Sequence, residues 1–205
     1  MFVARDAPAR AALIARVATD AMLPSGSLES RIVSWAAGLA SIEVTSANTG
    51  ASARIRLYDP TGGIDDDART AFERVASREA EPHRLALRVE QLVFKAAYHF
   101  GVGGVRVVSG WRERAGKHTA AEAIDFRLDG VAPAKVAAYL RELPRVGVGI
   151  YTHPATQYVH IDIREPSYSW IDASPPGARW KERQLGDAHA AKRDAAYDPA
   201  MDLPI

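Results

Sequence analysis

The chain has 205 residues, 47% of them hydrophobic, which is enough for one sizeable core but short for two independent domains. Its 26 basic and 25 acidic residues nearly cancel, and no block of like charge would follow phosphates, so we expect no nucleic-acid partner. Cysteine is absent, which excludes disulfides and thiolate chemistry and leaves histidine and carboxylates as transition-metal ligands.

The first 40 residues predict a helical extension. Residues 8–22 are rich in alanine and carry apolar residues at helical spacing, and the pattern ends at Pro24 and Gly26. No apolar run approaches the roughly 20 residues of a membrane span, so we expect none. The first six residues lack the basic start and the apolar stretch of a secretory signal.

The next elements along the chain are a hairpin and two helices. Strand-forming residues at 41–47 and 53–58 flank the turn signal Asn48-Thr49-Gly50. Asp65 stands where a helix N-cap is expected, with apolar residues following at three-and-four spacing. A long apolar stripe over residues 85–100 ends at Gly101 and predicts a core helix.

After Gly101 the pattern changes to short strands, with one helix near 133–142 that opens with Pro133. The predicted strands cover 104–108, 122–127, 147–151 and 157–163. A helical half followed by clustered strands predicts an α+β fold. We expect one domain over residues 41–171, followed by a tail over 172–205 that is draped on the domain or partly disordered.

Polar residues with ligand chemistry concentrate in the strand-rich half. His118 lies in a polar loop and Asp125 in a short strand, which brings both side chains to one edge of a sheet. Strand alternation puts Tyr158, His160 and Asp162 on one face, opposite the apolar residues between them. Two imidazoles and one carboxylate leave a fourth tetrahedral position open, as a catalytic zinc requires. By spacing alone this is a weak metal signal.

The order of the motifs resembles a known superfamily. The motifs are Ser109-Gly110-Trp111-Arg112, His118-Thr119-Ala120-Ala121-Glu122-Ala123-Ile124-Asp125-Phe126, Gly147-Val148-Gly149-Ile150-Tyr151, Val159-His160-Ile161-Asp162 and a closing Trp170. This order resembles the D-alanyl-D-alanine carboxypeptidase and endopeptidase superfamily, which includes the hedgehog signalling domain, and is most similar to its YcbK-like murein peptidase branch. The similarity covers roughly residues 42–170.

The resemblance implies a small antiparallel sheet flanked by helices, with Zn²⁺ bound by His118, Asp125 and His160. It implies that Arg112 holds a carboxylate or carbonyl of the substrate, a task suited to a planar guanidinium. The expected activity is hydrolysis of a peptide bond next to a D-amino acid in the stem or cross-link peptides of peptidoglycan. Such a substrate implies a periplasmic or cell-surface location, and we expect a monomer.

Three departures from the family pattern lie around the loop that carries His118. Ala121 stands where the family usually has glycine, a change that is tolerable if this residue has a negative φ. Lys117 replaces the usual serine, and the stretch between Arg112 and His118 is shorter than normal.

The largest departure from the family pattern concerns the general base, because no acidic residue lies shortly before His160. Asp162 and His153 are the candidates that remain. Asp162 could equally orient the imidazole of His160, and His153 could be an ordinary exposed loop residue. A non-catalytic zinc domain for wall binding or assembly is therefore the alternative function. Trp170 could line a glycan cleft, but we favour packing in the core. We expect Arg164 to be a surface charge or part of an ion pair rather than a site residue.

Overall fold

The computed structural model describes residues 35–79, 82–113, 116–178 and 181–204. The predicted helix at 8–22 lies outside these ranges. The strands are β1 (Ile42–Ser46), β2 (Ser52–Ile55), β3 (Gly104–Ser109), β4 (Ala123–Leu128), β5 (Val146–Tyr151), β6 (Tyr158–Ile163), β7 (Tyr168–Asp172) and β8 (Glu182–Leu185). The helices are α1 (Asp66–Ala76), α2 (Leu87–His99), α3 (Pro133–Leu140) and α4 (Ala190–Ala195), followed by a 3-10 helix, Pro199–Asp202. None of the helices in the described ranges is long and apolar enough to cross a bilayer.

The predicted α+β class is confirmed, but the sheet is larger than predicted and mixed in direction. Within the described ranges it has eight strands, in the order β2-β1-β3-β4-β6-β5-β7-β8. β1 runs parallel to β3 and β5 runs parallel to β7, whereas the other neighbours are antiparallel. The prediction of a small antiparallel sheet was therefore wrong. The helices between β2 and β3 form the long connection that lets β3 return parallel to β1.

Local signals mark several element boundaries as predicted. The carboxylate of Asp65 accepts a hydrogen bond from the amide of Ala68 at 3.0 Å, which caps α1. Pro133 occupies the first turn of α3. Backbone N–H groups in this turn have no partner within the helix, so the missing N–H of proline costs no hydrogen bond. Gly101 has a φ of 63° just after α2, a conformation that glycine adopts at no steric cost.

The core lies between the helices and one face of the sheet. Alternate strand residues such as Ile124, Phe126, Val159 and Ile161 are almost fully buried there. They form one cluster with the apolar sides of α1, α2 and α3. The opposite side, which we call the polar face, carries Glu43, Arg106, Asp125, Arg127, Tyr158, His160, Asp162 and Trp170, because successive strand residues point to opposite sides.

The described part of the predicted tail packs on the domain. β8 extends the sheet by pairing with β7. Asp202 accepts a hydrogen bond from Arg88 of α2 at 2.9 Å, and Leu203 joins the apolar cluster. The strand was not predicted, because Glu182–Leu185 is almost entirely polar. The division of the chain at residue 171 remains a prediction.

Candidate metal centre

Three buried side chains meet on the polar face, near the junction of β3, β4 and β6. Asp125 of β4 lies directly opposite His160 of β6, and His118 approaches from the loop between β3 and β4. The three residues are 3%, 6% and 4% exposed. One ligand atom from each lies within 4.8 Å of the others, so the group could hold a metal ion. These are the three residues that the family resemblance predicted as metal ligands.

The distances between the donor atoms suit a small tetrahedral ion. His118 Nε2 lies 3.2 Å from His160 Nδ1 and 3.5 Å from Asp125 Oδ2. His160 Nδ1 lies 2.8 Å from Asp125 Oδ1. Metal–ligand bonds of about 2.0–2.1 Å require tetrahedral ligand atoms about 3.3–3.4 Å apart. The three donors therefore need only small shifts to coordinate one ion.

Both imidazoles are oriented by acceptors on their outer sides. His118 Nδ1 lies 2.6 Å from the carbonyl oxygen of Gly110, to which it donates, and this leaves Nε2 facing the centre. His160 Nε2 lies 3.0 Å from Asp162 Oδ2, which leaves Nδ1 facing the centre. Acceptors on the outer nitrogens of ligating histidines fix the tautomer and raise the basicity of the ligand. The arrangement thus holds both rings ready for a metal.

Asp162 is itself held by Arg164. The guanidinium donates through Nε to Asp162 Oδ1 at 2.6 Å and through Nη2 to Oδ2. Burial favours the neutral acid, but hydrogen bonds from His160 and Arg164 outweigh it and lower the pKa of Asp162. Asp162 is fully buried, and both of its oxygens are engaged. Arg164 is therefore part of an ion pair, one of the two roles predicted for it.

The two glycines of the Gly147-Val148-Gly149 motif leave room for this arrangement. A Cβ on Gly147 would lie 2.3 Å from Asp162 Oδ2, and one on Gly149 would lie 2.5 Å from the ring of Trp170. Gly149 pairs with His160 on one side and with Trp170 on the other. Because no side chain stands between them, the Trp170 and His160 rings lie 5.1 Å apart. Trp170 is 8% exposed, so it is buried as predicted, but it packs against His160 on the polar face and lies outside the apolar core cluster.

The loop that carries His118 ends in a Schellman motif. The amide of Glu122 donates to the carbonyl of Lys117 at 2.9 Å, and the amide of Ala121 donates to the carbonyl of His118 at 3.1 Å. Lys117 and Glu122 also form an ion pair at 2.6 Å that closes the same turn.

Ala121 occupies the left-handed position of this motif, with a φ of 57°. The condition of a negative φ is therefore not met, and alanine is strained at a position that favours glycine.

Charge within the metal-free triad is redistributed by mutual hydrogen bonds. Burial would raise the pKa of Asp125, but its interactions with the imidazoles of His118 and His160 hold this pKa well below its ordinary value. Burial would lower the pKa of His160, but the hydrogen bonds and charges of Asp125 and Asp162 raise it to about 9. Without a bound metal, the three side chains therefore form an ionic network in which the imidazole of His160 is positively charged at neutral pH.

Arg112 lies in the loop that follows β3, and its side chain forms no hydrogen bond or ion pair with the triad within the described ranges. Its side chain is exposed, and its carbonyl accepts a hydrogen bond from the hydroxyl of Thr119 at 3.0 Å. Burial and the charge of Asp125 raise the pKa of Tyr158, and the charge of Arg112 partly offsets the increase.

His153 stabilises the turn before β6. Its Nδ1 accepts a hydrogen bond from the amide of Ala155 at 3.2 Å, and its carbonyl accepts one from the amide of Thr156 at 2.8 Å. The ring makes no hydrogen bond to the triad within the described ranges. The two predicted base candidates thus differ in placement, since Asp162 bonds to His160 of the triad and His153 forms no hydrogen bond to the triad within the described ranges.

No protein-family model, curated protein or solved structure gives a significant match to this chain.

Proposed function

We propose that the chain is a zinc metallopeptidase that cleaves peptide bonds next to D-amino acids in the stem or cross-link peptides of peptidoglycan. The observation that carries the proposal is the convergence of His118 Nε2, His160 Nδ1 and the Asp125 carboxylate, with the outer nitrogens of both rings anchored. In this proposal the fold is that of the hedgehog and D-alanyl-D-alanine peptidase superfamily, whose motif order the sequence resembles.

Zinc is the metal that best matches these donors. Two imidazole nitrogens and one carboxylate form a mixed set that suits zinc, and a three-residue set leaves a fourth position for substrate or water. Zinc bound there would polarise a peptide carbonyl and lower the pKa of a coordinated water to about 7. The donor atoms of His118, His160 and Asp125 lie 2.8–3.5 Å from one another, which supports a small ion rather than a large one such as calcium.

The remaining polar residues take supporting roles in this proposal. Arg112, exposed in the loop between β3 and His118, binds a carboxylate or carbonyl of the peptide through its planar guanidinium. Asp162 fixes the orientation of His160, and Arg164 keeps Asp162 ionised. The peptide substrate would be met outside the cytoplasmic membrane, in the periplasm or at the cell surface.

A non-catalytic zinc domain that binds the cell wall is the second candidate. The observation that favours it is the engagement of the two predicted bases: both oxygens of Asp162 are bonded, and His153 Nδ1 is used by a turn. Gln157, which directly precedes β6, is not a base at neutral pH. In this candidate the domain retains the metal and the peptide-binding surface without hydrolysis.

Digestion of purified muropeptides by the zinc-loaded protein separates the two candidates. The peptidase proposal expects products of defined mass with the wild type and none with His118→Ala. His99→Ala, which alters a histidine stacked on Tyr139 instead of a ligand, is the matched control and should retain activity. Zinc binding and retention on peptidoglycan without any cleaved product would support the second candidate. A wild type that neither binds zinc nor acts on peptidoglycan would exclude both.

A further inference from the structure

Two arginines face each other on the polar face, next to the triad. Arg106 of β3 and Arg127 of β4 are directly opposite in an antiparallel pair. Like charges in this position destabilise a sheet, whereas opposite charges stabilise it. Two strands away on the same face, Arg54 of β2 pairs in register with Glu43 of β1, which is the favourable arrangement. The Arg106–Arg127 pair therefore lowers the stability of the sheet, whereas the Glu43–Arg54 pair does not.

The described residues supply no acidic partner for this pair. Neither Arg106 nor Arg127 forms an ion pair with an aspartate or glutamate of the described ranges. Nη2 of Arg127 donates to the carbonyl of Thr156, a neutral acceptor, and its Nε is buried with no hydrogen-bond partner. The two arginines thus extend from paired positions on the same face, Arg106 exposed and Arg127 half-buried, without an acidic partner in the described ranges.

The surroundings of the pair resemble a site for an anion. Tyr158 lies beside Arg127, because Phe126 and Val159 are partners in the same antiparallel register. Its side chain is half-buried on the polar face. A carboxylate here would meet guanidinium groups and a phenol, donors that form short, charge-assisted hydrogen bonds.

The distance to the metal centre fits a peptide that spans both positions. Arg127 follows Asp125 by two residues on β4, so their side chains emerge from the same face about 7 Å apart. An extended peptide advances about 3.3–3.6 Å per residue. A carboxylate held by the arginines would therefore belong to a residue one or two positions from a bond placed at the triad.

We infer that Arg106 and Arg127 form a subsite for a carboxylate of an acidic peptide, which holds the peptide while its scissile bond lies at the triad. The inference rests on the proposed peptidase function and specifies its substrate class. The carboxylate can come from a side chain within the peptide or from the peptide's C-terminus, and the two sources share the same chemistry.

Binding and hydrolysis of matched muropeptides test the subsite. The probes are stem peptides with all carboxylates free, with only the side-chain carboxylates amidated, and with only the C-terminus amidated. Calorimetry on the zinc-loaded wild type should show at least about tenfold weaker binding for one amidated form, which identifies the source. Arg106→Gln and Arg127→Gln should remove that preference, raising KM for the acidic peptide with kcat unchanged. Arg54→Gln, an equal charge change on the same face, should retain it.

Thermal unfolding without any peptide provides a second, independent measurement. Removing one charge of the facing pair should raise the melting temperature of Arg106→Gln by roughly 1–2 °C, whereas Arg54→Gln, which loses a favourable neighbour, should show no rise. Equal binding of all three peptides by the wild type would overturn the subsite and leave the peptidase proposal intact. Absence of both binding and cleavage would overturn the peptidase proposal, and the subsite with it.

Discussion

Asp162 bonds to the edge of the His160 ring that faces away from Asp125 and His118, with Oδ2 of the carboxylate 3.0 Å from Nε2 of the ring. This contact directs Nδ1 toward Asp125 and His118. Since Arg164 binds the same carboxylate, Asp162 is fixed in place and ionised. The geometry supports a positioning role for Asp162, one of the two roles that the sequence left open.

Asp162→Asn should lower zinc affinity about 10–100-fold, because an amide is a weaker acceptor for the imidazole N–H. Excess zinc should restore the proposed activity. Zinc titration with a competing chelator and turnover at saturating zinc measure the two effects. Unchanged zinc affinity with turnover reduced by about two to four orders of magnitude would instead assign Asp162 as the general base.

Zinc should raise the thermal stability of the wild type. A ligand that binds only the folded state stabilises it by about 2.7 kcal/mol at a concentration 100-fold above its dissociation constant. In His118→Ala and His160→Ala the zinc-dependent shift in melting temperature should be lost, and in His99→Ala it should remain. Calorimetry with and without zinc measures the shift, and elemental analysis should find one zinc per wild-type chain. Full zinc loading of both ligand variants would contradict the assignment.

Ala121→Gly should stabilise the protein by about 0.5–1 kcal/mol. Glycine removes the steric cost of the left-handed backbone at a φ of 57°. This gain in free energy is larger than the loss that comes from the greater conformational entropy of glycine in the unfolded chain. Ala120→Gly, one residue earlier in the same turn, is the control and should destabilise by up to about 1 kcal/mol. Urea denaturation measures both changes. A loss of stability in Ala121→Gly would show that the strain is not present in solution.

Gly149→Ala should destabilise the protein by about 1–3 kcal/mol and weaken zinc binding. The new methyl group would lie 2.5 Å from the Trp170 ring, so the ring must move against His160. Gly103→Ala, where an added Cβ meets no atom within 4 Å, is the control. Combining Gly149→Ala with Trp170→Leu should recover part of the lost stability, as measured by denaturant unfolding. Equal effects of the two glycine substitutions would contradict the packing argument.

The stability of the metal-free protein should fall as the pH rises from about 6.5 to 9. Asp125 and Asp162 raise the folded-state pKa of His160 to about 9, above the value of about 6.5 in an unfolded chain. The folded state therefore keeps the proton on His160 at pH values where the unfolded chain has lost it. The stabilisation from this proton is fully present below pH 6.5 and disappears as the pH rises to about 9. The loss is on the order of 3 kcal/mol.

Urea denaturation of the metal-free protein across this range measures the effect. The dependence should be absent in His160→Gln. It should also be absent in the zinc-loaded wild type, because a metal ligand must be deprotonated. A stability that is flat between pH 6.5 and 9 in the metal-free wild type would contradict the charge network.

The sequence by itself determined the local features. Alternation along β6 put Tyr158, His160 and Asp162 on one face, and the position of Asp65 marked the start of α1. These predictions succeed because strand alternation, helix periodicity and capping depend on residues that are close in the chain. The family resemblance added the identity of the three candidate ligands, which spacing alone supported only weakly.

Tertiary structure decided what depends on partners distant in the chain. The parallel pairing of β5 with β7 and the addition of β8 at the edge are set by packing, not by local pattern. The strain at Ala121 depends on how its loop closes over α2, where its carbonyl accepts from the amide of Ala86 at 2.9 Å. The facing of Arg106 and Arg127 is likewise a matter of register, since a strand's sequence does not state which residue will lie across from it.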